Sequence, residues 1–179
     1  MKRAVFLDRD GTLIEEKNYL HRPEQVSVFA GAPAALLRLQ SAGFLLFLVT
    51  NQSGVGRGYF TMADVEAVHQ RVNDELAEAC VRLTRVYTAP EAPDEPSRGR
   101  KPSPQFLFDA RDEFALDLSQ CFMVGDKLID LECGWNAGVK ASILVRTGYG
   151  KEVAAVAGER LKNALIAEDL PQAADYILR

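Results

Sequence analysis

Short apolar runs, each the length of a strand, recur along this chain with stretches of helical period between them, and this alternation restricts the fold more than any other feature. The runs are Ala4–Leu7, Phe44–Val49, Leu83–Tyr87, Cys121–Val124 and Ala141–Val145. They are rich in Val, Leu and Phe, as expected of strands covered on both faces. Strands of that kind interleaved with helices predict an α/β fold: a doubly wound, Rossmann-like parallel sheet with helices on both faces. Thr61 with Asp64 forms a capping-box pattern, and Val65, Val68, Val72 and Leu76 then make one apolar helical stripe. Gly31-Ala32-Pro33 opens a helix closing near Gly43, Ser103-Pro104 opens another, and Asp130–Ala137 is a short helix stopped by Gly138. Pro90, Pro93 and Pro96 make Ala89–Gly99 an extended loop. The segments between Asp10 and Thr50, and between Thr50 and Lys101, have no room for an inserted cap. One domain over residues 1–179 is expected.

A chain of 179 residues is long enough for one substantial core, and its formal charge of -4 with mixed signs speaks against a nucleic-acid surface. The expected partner is small. The N-terminal apolar run ends at Asp8, too short for a signal peptide or membrane span, so a cytoplasmic monomer with no membrane partner is expected. Cys80, Cys121 and Cys133 are odd in number and lie in apolar contexts, which predicts buried thiols in a reducing compartment.

Polar residues fall where such a sheet binds ligands. Asp8 follows Val5-Phe6-Leu7, Thr50 follows Phe47-Leu48-Val49, Arg100-Lys101 lies beyond the third run, and Asp126 follows Met123-Val124-Gly125. In an open parallel sheet the carboxyl ends of the strands share one rim. Each residue alone has an ordinary reading as a turn, cap or surface group. Together they are different: Asp8, Asp10 and Asp126 within about 4 Å of one another would repel by roughly 4 kcal/mol per pair at an effective dielectric of 20. A divalent cation offsets this, and hard oxygen ligands suit magnesium.

Asp8-Arg9-Asp10-Gly11-Thr12, Thr50 after an apolar strand, Lys101, and Gly125-Asp126 with Asp130 resemble, in this order, the motifs of the haloacid dehalogenase superfamily. Thr50-Asn51-Gln52-Ser53-Gly54, Arg57-Gly58, Arg100-Lys101-Pro102, Gly125-Asp126-Lys127 and Val145-Arg146-Thr147-Gly148 further resemble the D-glycero-D-manno-heptose-1,7-bisphosphate 7-phosphatases, from about Phe6 to Tyr176.

The resemblance implies a small phosphorylated sugar as substrate and Mg2+ as cofactor. It implies that Asp8 is the nucleophile and Asp10 the acid and base, with Thr50 and Lys101 holding the phosphoryl oxygens. Asp8, the backbone carbonyl of Asp10, and Asp126 would bind the metal, with Asp130 behind them. Asp10 would need a less hydrated, negatively charged setting to hold a proton at neutral pH, so a raised pKa is expected there. Arg100 and Lys127 would contact substrate, with Glu16, Lys17, Asn18 and Tyr19 in the substrate-proximal loop and Asn51, Gln52 and Ser53 flanking the phosphate. Arg57 is a candidate for a second anionic group. Many relatives hold zinc through three cysteines and a histidine before the Arg-Lys pair. Ala89–Gly99 contains neither type, so no zinc is expected.

Histidinol-phosphate phosphatases and polynucleotide 3′-phosphatases share parts of this pattern. The first usually has Asp where Ser53 stands, and the second would want a basic groove. A phospho-accepting signalling module also uses a magnesium-bound aspartate, but there the aspartyl phosphate persists and Asp10 would have no task.

Overall fold

The computed structural model describes residues 1–179. Six parallel strands form one sheet: β1 (Arg3–Leu7), β2 (Phe44–Asn51), β3 (Arg85–Ala89), β4 (Phe122–Gly125), β5 (Ala141–Val145) and β6 (Ala164–Ala167), in the spatial order β3-β2-β1-β4-β5-β6. The helices are α1 (Ala32–Ser41), α2 (Met62–Glu78), α3 (Gln105–Phe114), α4 (Leu128–Ala137), α5 (Gly150–Val156) and α6 (Leu170–Ile177). No cap domain interrupts them.

Strand β1 explains why the sheet needs two covers. Val5 and Leu7 join the core beneath α1, α2 and α6, while Ala4 and Phe6 join the core beneath α3 and α4. Successive strand side chains point to opposite faces, so a strand buried on both reads as an unbroken apolar run. The capping box of α2 is formed, with the Asp64 N–H donating to Thr61 Oγ1 at 3.3 Å and the Thr61 N–H to Asp64 Oδ2 at 2.7 Å. Val65, Val68, Val72 and Leu76 are buried as the stripe requires. Gly138 takes φ +73° and ends α4.

Three boundaries differ from expectation, and one strand is additional. Thr50 and Asn51 lie inside β2 because they pair with Thr88 and Ala89 of β3. Helix α4 begins at Leu128, since Asp130 is its third residue and caps back onto the Lys127 N–H. Helix α3 begins at Gln105 with Pro104, not Ser103, as its N-cap residue, one position later than expected. Strand β6 was not among the expected runs; like β3 at the opposite edge of the sheet, it is only partly buried. The thiols of Cys121 and Cys133 are buried, but Cys80 is exposed because it sits in the turn leaving α2 with φ +58°.

The site is positioned by topology. The chain winds outward from β1 to β2 and β3, then returns to β4 on the other side of β1 and winds outward again. Helices diverge at that reversal and leave a crevice at the carboxyl ends of β1 and β4. Leu7 lies opposite Val124, and the Asp8 N–H extends the ladder by donating to Val124 O at 2.9 Å. Asp8 and Asp126 thus emerge side by side.

Candidate active site

At the base of the crevice Lys101, 3% exposed, places its ammonium 2.6 Å from Asp8 Oδ1 and 2.7 Å from Asp130 Oδ1, and donates to Val49 O at 2.7 Å. Its backbone is clamped by Asn51, which accepts from the Lys101 N–H at 3.0 Å and donates to Lys101 O at 3.2 Å. Burial by itself pushes the ammonium down, but the Asp130 and Asp8 carboxylates outweigh it and hold Lys101 above its ordinary range. Asp8 shows the reciprocal balance: burial pushes it up, and Lys101 followed by Lys127 holds it below the usual carboxylate range. A carboxylate kept ionised in a dry site is available as a nucleophile.

Asp126 is fully buried, and the backbone around it is shaped to it. Gly11 (φ +84°) and Gly148 (φ +52°) approach so closely that a Cβ on either would overlap its carboxylate. The Tyr149 N–H donates to Asp126 Oδ2 at 2.8 Å, while Oδ1 has no partner. Burial, then the neighbouring Asp8 charge, pushes Asp126 up to about 8. One oxygen from each of Asp8, Asp126 and Asp130 lies within 4.8 Å of the others. An orphaned buried carboxylate oxygen beside two more hard oxygens fits a divalent cation such as magnesium.

Asp10 stands higher in the wall and is set differently from expectation. Its carboxylate is met by the Arg9 guanidinium, Nε at 3.0 Å and Nη2 at 3.2 Å, and accepts from Gln52 Nε2 at 3.0 Å. The setting is therefore not a negatively charged one, because Arg9, 1% exposed, turns back beneath the loop and supplies the opposite charge. Arg9 is also braced by Leu20 O at 3.5 Å. Sequence reasoning passed over Arg9. The available signal was a basic residue between two acids at the end of an apolar strand.

Above the base opens a cavity of about 310 Å³ walled by Asp8, Arg9, Asp10, Glu16, Asn18, Tyr19, Asn51, Gln52, Ser53, Arg100, Lys101, Lys127 and Asp130, with Leu20, Gly54, Phe60, Ile129 and Tyr149. Of the last five, only Gly54 lay in a segment expected to shape the opening; Leu20, Phe60, Ile129 and Tyr149 were not foreseen. Thr50 is buried just behind the wall, its hydroxyl accepting from Gln52 Nε2 at 2.7 Å. Two candidates are not gathered. Lys17 is turned away to Gln25 O at 2.8 Å and Glu15 at 3.5 Å, and Arg57 is exposed outside the wall, although its charge reaches Arg100. The loop before Lys101 is held by its own polar contacts: Ser97 Oγ donates to Glu91 Oε2 at 2.6 Å, and Arg100 Nη1 to Glu91 O at 3.0 Å. These bonds present Arg100 to the cavity.

Two family models match the chain: one described as polynucleotide kinase 3 phosphatase over residues 3–129, and one as HAD-hydrolase-like over residues 99–173. The chain is 39% identical to a D-glycero-beta-D-manno-heptose-1,7-bisphosphate 7-phosphatase of Escherichia coli K12 over 178 residues, covering 95% of this chain and 92% of that one. It is 41% identical to a D-glycero-D-manno-heptose-1,7-bisphosphate 7-phosphatase of Chlorobaculum tepidum over 163 residues, covering 84% and 81%. The crystal structure of the D,D-heptose 1,7-bisphosphate phosphatase of B. bronchiseptica, complexed with magnesium and phosphate, superposes with a TM-score of 0.91 at 32% identity, covering 99% of this chain and 98% of that one. The likeness spans both halves of the sheet and the crevice between them, and the chain belongs to the haloacid dehalogenase-like phosphatases, in the group of the heptose-1,7-bisphosphate 7-phosphatases.

Proposed function

We propose that this phosphatase removes the 7-phosphate of D-glycero-D-manno-heptose 1,7-bisphosphate through an aspartyl phosphate on Asp8, as a step toward the activated heptose of lipopolysaccharide core. The likeness to heptose bisphosphate 7-phosphatases over 95% of this chain, with the Asp8–Lys101 pair and the Asp8, Asp126 and Asp130 cluster in the crevice, carries the reading.

In the first step an Asp8 oxygen bonds to phosphorus as the ester P–O bond breaks, and Asp10 gives its proton to the departing sugar oxygen. In the second, water attacks the same phosphorus, Asp10 takes the water proton, and the Asp8 carboxylate is released with inorganic phosphate. Asp10 lies two residues beyond the nucleophile, and Arg9 and Gln52 fix its carboxylate, so one group serves both proton transfers. Lys101 holds Asp8 ionised and aligned and supplies positive charge to the phosphoryl oxygens, to which the Thr50 hydroxyl would donate a hydrogen bond. When bound, Mg2+ adds charge neutralisation and orients the phosphoryl group. Asp8, Asp126 and the Asp10 carbonyl would hold it. Asp130, engaged with Lys101 and the Lys127 N–H, positions these groups from behind.

Arg100 and Lys127 present cations to the rest of the substrate, with Glu16, Asn18, Tyr19 and Asn51–Ser53 shaping the opening. A monomer acting in the cytoplasm without zinc completes the reading. Ala89–Gly99 has no cysteine or histidine, the cysteines are unpaired, and no helix is long and apolar enough to cross a membrane.

The match over residues 3–129 makes a 3′-phosphorylated oligonucleotide the rival substrate. Phosphate release should be measured from that oligonucleotide, histidinol phosphate and the heptose bisphosphate, with and without magnesium, for wild type and Asp8→Asn. The reading expects kcat/KM for the bisphosphate to lead by about a hundredfold or more, a gap of about 2.7 kcal/mol. Equal, poor rates that still need Asp8 and magnesium would keep the mechanism and remove the substrate.

A further inference from the structure

The two chemical steps give Tyr149 no task, yet it lines the catalytic cavity and is 44% exposed. Its backbone is pinned on every side. The Tyr149 N–H is bonded to Asp126 Oδ2 at 2.8 Å, Gly148 is packed on the Asp126 carboxylate, and Gly150 lies so close to the Val145 carbonyl that no Cβ would fit. Thr147, two residues before Tyr149, ties the same turn to the loop after β1 by donating from its hydroxyl to Gly11 O at 2.6 Å. The backbone from which the ring projects is thus held by the metal-site carboxylate and the sheet.

The surroundings of that ring point to its use. Lys127 Nζ lies 4.9 Å from the ring centroid, over its face, and 3.3 Å from Glu16 Oε2, so the ammonium is held between an aromatic face and a carboxylate while still lining the cavity. On its other side Tyr149 borders a second groove whose charged walls are Glu15, Glu16 and Glu152. That acidic groove repels anions, so a phosphorylated ligand over Asp8 has no favourable path past Tyr149 and keeps its carbon skeleton within the cavity. The polyol of a sugar presents C–H faces between its hydroxyls. Binding sites hold such groups with a few placed polar contacts and rigid apolar or aromatic walls.

We propose that Tyr149 is a specificity-determining residue: its ring is the fixed wall on which the carbon face of a sugar phosphate packs, and it keeps the Lys127 ammonium facing that sugar. This rests on the sugar-phosphate reading above, and the test separates the two. Steady-state kinetics of the full chain with magnesium would be measured on heptose 1,7-bisphosphate and on acetyl phosphate, which has no sugar, for wild type, Tyr149→Phe and Tyr149→Ala. The backbone bond to Asp126 survives both substitutions. The expected result for Tyr149→Ala is a rise in KM for the bisphosphate of about tenfold or more, as for loss of a hydrophobic pocket contact, with a much smaller loss on acetyl phosphate, while Tyr149→Phe stays near wild type. An equal loss on both substrates, or an unchanged KM for the bisphosphate, overturns the proposal. If the wild type itself turns over acetyl phosphate but no sugar phosphate, the sugar reading fails and the role of Tyr149 goes with it.

Discussion

Lys101 ties three elements together: its one buried ammonium meets the carboxylates of Asp8 and Asp130 and the carbonyl of Val49. Breaking a buried pair by removing one partner costs about 3–5 kcal/mol, because the remaining charge has no water to turn to. Lys101→Met is therefore expected to lower stability by about that amount and to abolish turnover, with part of the stability restored by magnesium; thermal melts with and without the metal check this. Arg9 acts on the reaction through Asp10. Arg9→Lys keeps the charge but loses the two-pronged guanidinium contact that orients the carboxylate. A misplaced proton carrier costs about a hundredfold in rate, so kcat should fall by that order with KM little changed, and a KM effect of the same size would assign Arg9 to binding instead. Asp8 and Asp126 could be read as site residues from their places after apolar runs. Arg9 was hidden because an arginine gives no sequence sign that it will be buried; only its Asp10 partner and the Leu20 carbonyl make burial tolerable.

Among the elements, α2 shows both how far a sequence pattern reaches and where it stops. Its cap and apolar stripe were legible, since capping geometry and helical period are local. Thr61→Ala removes the cap acceptor and should cost about 1 kcal/mol in denaturant unfolding, with activity preserved. His69, on the same helix, is a different case. Its Nε2 is buried without a partner, and burial, followed by the nearby Arg9 charge, pushes its pKa down to about 3. The unfolded chain takes up a proton near pH 6.5 while the folded chain does not, so this contribution is fully present above that pH and is lost progressively as pH falls toward about 3. Between pH 7 and 5 the loss is about 2 kcal/mol. His69→Gln should flatten the stability profile over that window by the same amount in denaturant titrations, and an unaltered profile would show that His69 is solvated in solution. Strand β6 was not read from the sequence, although Ala164–Ala167 is a short apolar run, because periodicity alone does not tell such a run from a piece of buried helix.

For the molecule as a whole, the gathering of three buried carboxylates makes folding and metal binding one problem. Asp8, Asp126 and Asp130 face two lysines, Lys101 and Lys127, and Asp126 Oδ1 is left without a partner. A ligand present at about a hundred times its dissociation constant stabilises the folded state by about 2.7 kcal/mol, which in a domain of this size raises Tm by about 5–10 °C. Magnesium added to chelator-treated protein should produce such a shift, and Asp126→Asn should remove most of it; a wild-type Tm indifferent to magnesium would contradict the assignment of the metal site. The sequence alone was enough for the layered α/β class, the strands buried on both faces, the cap of α2 and the stop of α4, and the order of motif residues along the chain, because each is written in local period, turn chemistry or residue type. The order β3-β2-β1-β4-β5-β6, the bond from Asp8 to Val124 that sets two carboxylates side by side, the inward turn of Arg9, and the exclusion of Lys17 and Arg57 from the wall were decided only in three dimensions. These depend on which segments pack together, and that choice is made by burial and pairing summed over the whole chain, where no local pattern records it.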